Sequence, residues 1–146
     1  MQGFAISNLS NKNLKQKADG IIIDLFKNGI KVKYQIFGKC IYLESKDKIT
    51  QKHLNEKIHY AKLSTDKKKE IYNTIRGLLK GIKEPKNFAV KVDRKGEHKY
   101  KSTELAKEMA SAAFDEWPNV KVNLDRPSLE IIIQIINNRS IIYLRN

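Results

Sequence analysis

The run Leu-Glu-Ile-Ile-Ile-Gln-Ile-Ile at positions 129–136 most constrains what this chain can fold into. It is apolar on both faces over much of its length, which suits a strand that is central in a sheet or well covered. Asn137-Asn138 follows and suits a two-residue type I′ hairpin turn, because Asn tolerates positive φ. Ser-Ile-Ile-Tyr-Leu (140–144) is then the returning strand.

The residues upstream supply the layers around that hairpin. Phe88, Val90 and Val92 alternate with Ala89, Lys91 and Asp93, as in a strand with one face inward. After the loop Arg94–Lys101, Ser102 or Thr103 caps a helix that has Glu104 favourably placed in its first turn. Leu105, Met109, Ala112 and Ala113 form its buried stripe, and Pro118 stops it just past Trp117. Val120–Leu124 reads as a further strand and Asp125-Arg126-Pro127 as a turn.

The first half has its own pattern. Residues 3–8 read as a short strand, and Asn11 as the N-cap of a helix carrying Leu14, Ala18, Ile21, Ile22 and Leu25. Asn28-Gly29 ends that helix. Strands at 30–37 and 40–45 flank a tight turn at Gly38-Lys39, and a helix over about 50–57 leads to a strand at 58–63. The order β-α-β-β-α-β is a small ferredoxin-like unit. The expected fold is therefore α/β (α+β), with one unit over residues 1–63 and a second over 64–146.

Charge points to a polyanionic partner. The chain carries 29 Lys+Arg against 16 Asp+Glu, a formal charge of +13. Lys67 to Lys101 holds 12 basic and 4 acidic residues, whereas Ser102 to Asn146 has a slight acidic excess. A solubility or codon bias needs no such asymmetry; a localised footprint does. Lys outnumbers Arg heavily, and Lys is a point charge suited to phosphates more than to base reading.

A helix expected over about 65–82 buries Ile71, Ile75, Leu78, Leu79 and Ile82 on one face. Lys69, Arg76, Lys80 and Lys83 then fall together on the other face. Most such stripes are simply solvated, but no acidic residue occupies this one to pair with within the helix. The loop that follows Val92 adds Arg94, Lys95, Lys99 and Lys101. Gly96 allows a tight backbone, His98 offers a donor and Tyr100 a ring for stacking, while Asp93 and Glu97 partly offset the charge. With Lys91, these residues are the expected RNA-binding surface.

Catalytic patterns are missing: there is no G-x-G-x-x-G, no G-x-x-x-x-G-K-[ST] and no G-x-S-x-G. Cys40 has no cysteine partner, and His53 and His59, six apart, do not have a zinc spacing. Glu104 and Glu108, with Lys107 between them, read as a solvated helix face. No catalytic residue, metal or cofactor is expected. A single cysteine, no apolar stretch long enough for a bilayer and no signal peptide imply a soluble cytoplasmic protein.

The positions Phe88, Val90, Val92, Arg94, Gly96, His98, Ser102, Val122, Leu124, Pro127 and the strand from Leu129 to Ile135 together resemble a THUMP domain. The resemblance spans roughly 65–145; it departs where the family's helix often carries a Gly and this chain has Met109-Ala110-Ser111. It implies an RNA-binding module, preceded by a ferredoxin-like unit, that recognises the acceptor stem and 3′ end of tRNA. It also implies a modifying enzyme as partner. The opening of the chain is similar to the adaptor that presents tRNA to an RNA cytidine acetyltransferase. Its beginning with Met and stopping at the hairpin favour that adaptor over an excised part of a thiouridine synthetase or methyltransferase. A generic basic module for ribosomal RNA or a protein remains a third reading.

Overall fold

The computed structural model describes residues 2–7, 9 and 12–146. The fold is mixed α/β, as the patterning predicts, and the chain forms two compact units dividing between Ala61 and Lys62.

The first unit contains β1 (Gln2–Ile6), α1 (Leu14–Lys27), β2 (Val32–Phe37), β3 (Cys40–Ser45) and the start of β4 (Ile58–Thr65). β1 pairs antiparallel with β3 and β4, and β2 with β3, so the strand order is β2-β3-β1-β4. Leu14, Ala18, Ile21 and Leu25 of α1 bury against Phe4, Ile6, Ile41 and Leu43. At the helix end the Ile30 amide donates to the Leu25 carbonyl and the Gly29 amide to that of Phe26. These are the paired bonds of a Schellman motif, with Leu25 and Ile30 both in the core. The helix starts after Asn13, which has φ 63° and makes no side-chain cap; Asn11, the expected cap, lies outside the described residues.

The second helix of the ferredoxin-like pattern is reduced to one 3₁₀ turn, Gln51–His53. The cause is local. The Gln51 side-chain amide donates to the carbonyls of Leu54 and Glu56, and its oxygen accepts from the Ile58 amide. Leu54 is extended (φ −136°, ψ 149°), which ends the turn, and the Gln51 side chain then serves the backbone of the non-helical stretch that follows.

The second unit contains the end of β4, α2 (Lys68–Leu79), β5 (Asn87–Lys95), α3 (Ser102–Glu116), β6 (Lys121–Val122), β7 (Leu129–Ile136) and β8 (Arg139–Arg145). β7 is central, parallel to β5 and antiparallel to β8; β6 lies outside β5, parallel to it. Leu129, Ile131, Ile133 and Ile135 face the core that α2 and α3 complete with Ile71, Ile75, Leu79, Leu105, Met109, Ala112 and Ala113. The stripe expected on α3 is the stripe that buries.

Several expected boundaries move. α2 is shorter than 65–82: Thr65 ends β4, Asp66 bonds the hairpin through its amide to the Asn138 carbonyl, and Lys80 is extended ahead of Gly81. Gly81 has φ +81°, a conformation in which a helix cannot continue. Ile82 is consequently exposed rather than in the buried face. α3 is capped by Lys101, without a side-chain bond from Ser102 or Thr103. β6 stops at Val122 because the Asn123 side chain accepts from the Asp125 and Arg126 amides and bends the chain. The turn between β7 and β8 has positive φ at Asn137 (55°) and not at Asn138, so it is not type I′, which needs both.

Candidate nucleic-acid interface

β5 sets the site by its parity. Phe88, Val90 and Val92 lean toward the helices, and the same alternation carried one step further puts Arg94 on that inner side. Lys91, Asp93 and Lys95 are exposed on the opposite side. The strand ends at Gly96, which has φ +104° and lies close under the hairpin turn. A Cβ there would fall 2.6 Å from Asn137 Oδ1 and 3.2 Å from its Cα, so only glycine fits.

Around this point the loop is locked from within. Asn137 donates its amide to the Lys95 carbonyl at 2.9 Å. The His98 side chain is 1 % exposed. Its Nε2 lies 2.6 Å from the Asn137 carbonyl oxygen, and its Nδ1 lies 3.1 Å from an Arg94 guanidinium nitrogen. Arg94 is donor-only, so Nδ1 accepts and Nε2–H donates, which fixes the tautomer. Arg94 also donates to the Gly96 carbonyl at 3.1 Å, and the Asp66 carboxylate lies 3.8 Å from His98 Nε2.

Tyr100 continues the network. It is buried, stacks on His98 with ring centroids 5.4 Å apart, and donates its hydroxyl to the Asp66 carbonyl at 2.5 Å. Burial raises its phenol above the ordinary value, with Asp66 adding to the effect, so the group stays a donor. Lys68 sits 5.6 Å over the same ring and bridges Glu104 and Glu108 at 3.3 and 3.0 Å. Those carboxylates, Glu108 first, raise the Lys68 ammonium. Tyr100 is therefore enclosed by His98 and Lys68 and does not offer an open ring for a base.

Of the residues expected to contact RNA, Lys69, Lys95, Gly96, Lys99 and Lys101 converge at one end of the second unit. There the C-terminal end of β5 meets the first turns of α2 and α3. The four lysines are exposed, and among the described residues none makes an ion pair. Arg94 and His98 lie beneath that surface as its braces. Lys67, exposed at the N-cap of α2, joins it; a helix placed from residue 65 hides that residue's terminal position.

The remaining expected residues are elsewhere. Lys91 pairs with Glu130, which also takes Arg145 Nε at 2.9 Å. Arg76 pairs with Glu116 at 3.1 Å and donates to the Ala112 carbonyl, so the acidic partner missing from its own helix comes from α3. Lys80 and Lys83 follow the end of α2, about 18 Å from its start at 1.5 Å per residue. The expected continuous stripe is thus divided between two ends of the unit.

Burial pushes the Cys40 thiol up to about 12, which leaves it protonated and unreactive. Among the described residues no group of three or more His, Cys, Asp or Glu is arranged to hold a metal, and no helix is long and apolar enough to cross a membrane.

Residues 66–145 match the family model described as THUMP domain. Solved structures share the fold across almost the whole chain. PH1313 from Pyrococcus horikoshii Ot3 matches with TM-score 0.73 and 17 % identity, over 99 % of this chain and 54 % of its own. A 4-thiouridine synthetase–RNA complex with bound ATP matches with TM-score 0.75 and 14 % identity, over 99 % of this chain and 41 % of its own. TrmN from Thermus thermophilus matches with TM-score 0.69 and 11 % identity, over 99 % and 45 %. The chain thus spans about half the length of these proteins. No curated protein sequence matches it significantly.

Proposed function

The chain belongs to the THUMP-domain family, and from that premise we propose that it is a non-catalytic tRNA-binding adaptor in tRNA modification. It grips the acceptor stem and 3′ end and presents the tRNA to a modifying enzyme, an RNA cytidine acetyltransferase. Residues 64–146 act as the THUMP domain, and the ferredoxin-like residues 1–63 help to set the distance to the 3′ end.

One observation carries this reading: Lys67, Lys69, Lys95, Lys99 and Lys101 point outward around a loop that His98, Arg94 and Asn137 fix from beneath. A preformed backbone with flexible ammonium groups suits phosphates, which need charge at a set spacing rather than base-specific forks. The carboxylates Glu104 and Glu108 at the same end share the Lys68 ammonium, so they oppose the lysines less than their number suggests. If about 5 phosphates are neutralised, the logarithm of tRNA affinity against the logarithm of salt concentration slopes near −4. Replacing Lys95, Lys99 and Lys101 together by Ala flattens that slope by about 2 to 3. An unchanged slope in the triple variant contradicts the site.

A second reading has its own support. The chain covers about half of structures described as a thiouridine synthetase and as TrmN, so the same surface suits the RNA-binding half of a larger modifying enzyme. Acetylation of tRNA by the separate acetyltransferase, with and without this chain, separates the two: only an adaptor raises the rate in trans.

A further inference from the structure

The first unit carries a concave site of its own. Where the patterning predicts a helix over about 50–57, the chain has one 3₁₀ turn and an extended Leu54. A groove of about 410 Å³ lies between this stretch and one face of α1. Gly20, Ile21 and Leu54 form its apolar part, with Ile21 and Leu54 packed on the core of the unit. Lys17 of α1 reaches Glu56 across the groove at 3.5 Å, so this pair joins the two walls and cancels its own charge.

Gly20 is the unexpected residue. It sits in the interior of α1, where glycine weakens a helix. Close packing does not require it, because a Cβ there would meet nothing within 4 Å. Its missing side chain keeps the α1 wall of the groove bare. The same groove holds groups of both signs. The side chains of Asp24, Lys27 and Lys52 make no ion pair or hydrogen bond among the described residues. His53 Nδ1 accepts from the Thr50 amide at 3.1 Å, so in the neutral ring Nε2 carries the proton and is the donor.

This combination fits one class of ligand better than others. An acidic peptide suits the two ammonium groups and is repelled by Asp24; a basic peptide suits Asp24 and is repelled by the lysines. A ribonucleotide brings both partners at once. Its phosphate suits Lys27 and Lys52, and its ribose hydroxyls donate to a carboxylate such as Asp24. The flat face of the base suits the bare wall at Gly20 and Ile21, and its edge suits the Asn55 amide and the His53 Nε2–H. The volume lies in the usual range for a small-molecule site. We propose that this groove binds one ribonucleotide, either an unstacked residue of bound RNA or a free mononucleotide. The site adds to the tRNA-binding reading and does not depend on the lysine cluster.

The test uses the full chain with three probes: AMP, a short single-stranded oligoadenylate RNA and its DNA counterpart. NMR amide shifts follow AMP, and fluorescence anisotropy follows the oligonucleotides. Gly20→Leu fills the groove and keeps the melting temperature at or above the wild-type value, because leucine is the better helix former and the position is open. The wild type binds the RNA about fivefold more tightly than the DNA, and Gly20→Leu loses that preference. Asp24→Ala loses it too, although removing a carboxylate from so basic a chain strengthens plain attraction to phosphates. AMP shifts at Gly20, Asp24 and Lys52 that vanish in Gly20→Leu show that a free mononucleotide suffices. Loss of the RNA preference without AMP shifts assigns the site to a residue of RNA. An RNA-to-DNA ratio that neither substitution changes, with no AMP shift in the groove, overturns the proposal. The salt slope of tRNA affinity, which the lysine cluster sets, stays the same in Gly20→Leu, so the two readings fail separately.

Discussion

The His98 Nε2–H donates to the main-chain carbonyl of Asn137 at 2.6 Å, tying the β7–β8 hairpin turn to the loop that leads into α3. The ring's other nitrogen holds Arg94, so one buried imidazole joins three segments. His98→Ala leaves the Asn137 carbonyl and an Arg94 N–H without partners. It therefore destabilises the fold by about 2 kcal/mol in urea denaturation. A histidine that only touched RNA would lose affinity and leave stability alone.

Gly96→Ala is expected to act at the same joint. Its Cβ meets Asn137 at backbone as well as side-chain atoms, and φ +104° is unfavourable for any L side chain. The cost is about 1 to 3 kcal/mol, read as a lowered melting temperature, with tRNA affinity falling as the Lys95–Lys101 backbone is displaced.

Arg76→Ala separates bracing from binding. The guanidinium holds Glu116 and the Ala112 carbonyl of α3 with about a quarter of either side chain exposed. Its loss costs about 1 kcal/mol of stability and leaves tRNA affinity nearly unchanged. A large loss of affinity without loss of stability would return Arg76 to the RNA surface.

These residues show what local pattern reveals. The Leu105, Met109, Ala112 and Ala113 stripe and the central strand at 129–136 follow from periodicity, which one segment contains. The role of Arg76 does not, because Glu116 is 40 positions away and only tertiary packing brings it near. The reduced second helix leaves no such signal: the Gln51 bonds to the backbone of Leu54, Glu56 and Ile58 follow no period. For Arg94 the signal was present, since the alternation of Phe88, Val90 and Val92 already puts it inward. Tyr100 and His98 are alike in this respect. Polar side chains in a basic loop read as ligand contacts, and only their burial identifies them as structure.

Glu130 gives a pH dependence. Arg145 first, then Lys91, hold its carboxyl below the ordinary value of 4.5. A depressed folded-state pKa contributes stability that is fully present above 4.5 and lost as pH falls through the lower folded value. The stability difference between wild type and Glu130→Gln is therefore greatest near neutrality and shrinks below pH 4.5. Parallel denaturation curves at several pH values check it; a constant difference contradicts the ion-pair assignment.

The lysine cluster over the His98–Asn137 joint is proposed to recognise the tRNA acceptor end. Its most direct test is the affinity of the chain for intact tRNA, for the same tRNA without its single-stranded 3′ end, and for a plain RNA duplex, all at one salt concentration. Clear preference for intact tRNA is expected. Equal binding to all three would contradict it and leave only generic attraction between lysines and phosphates.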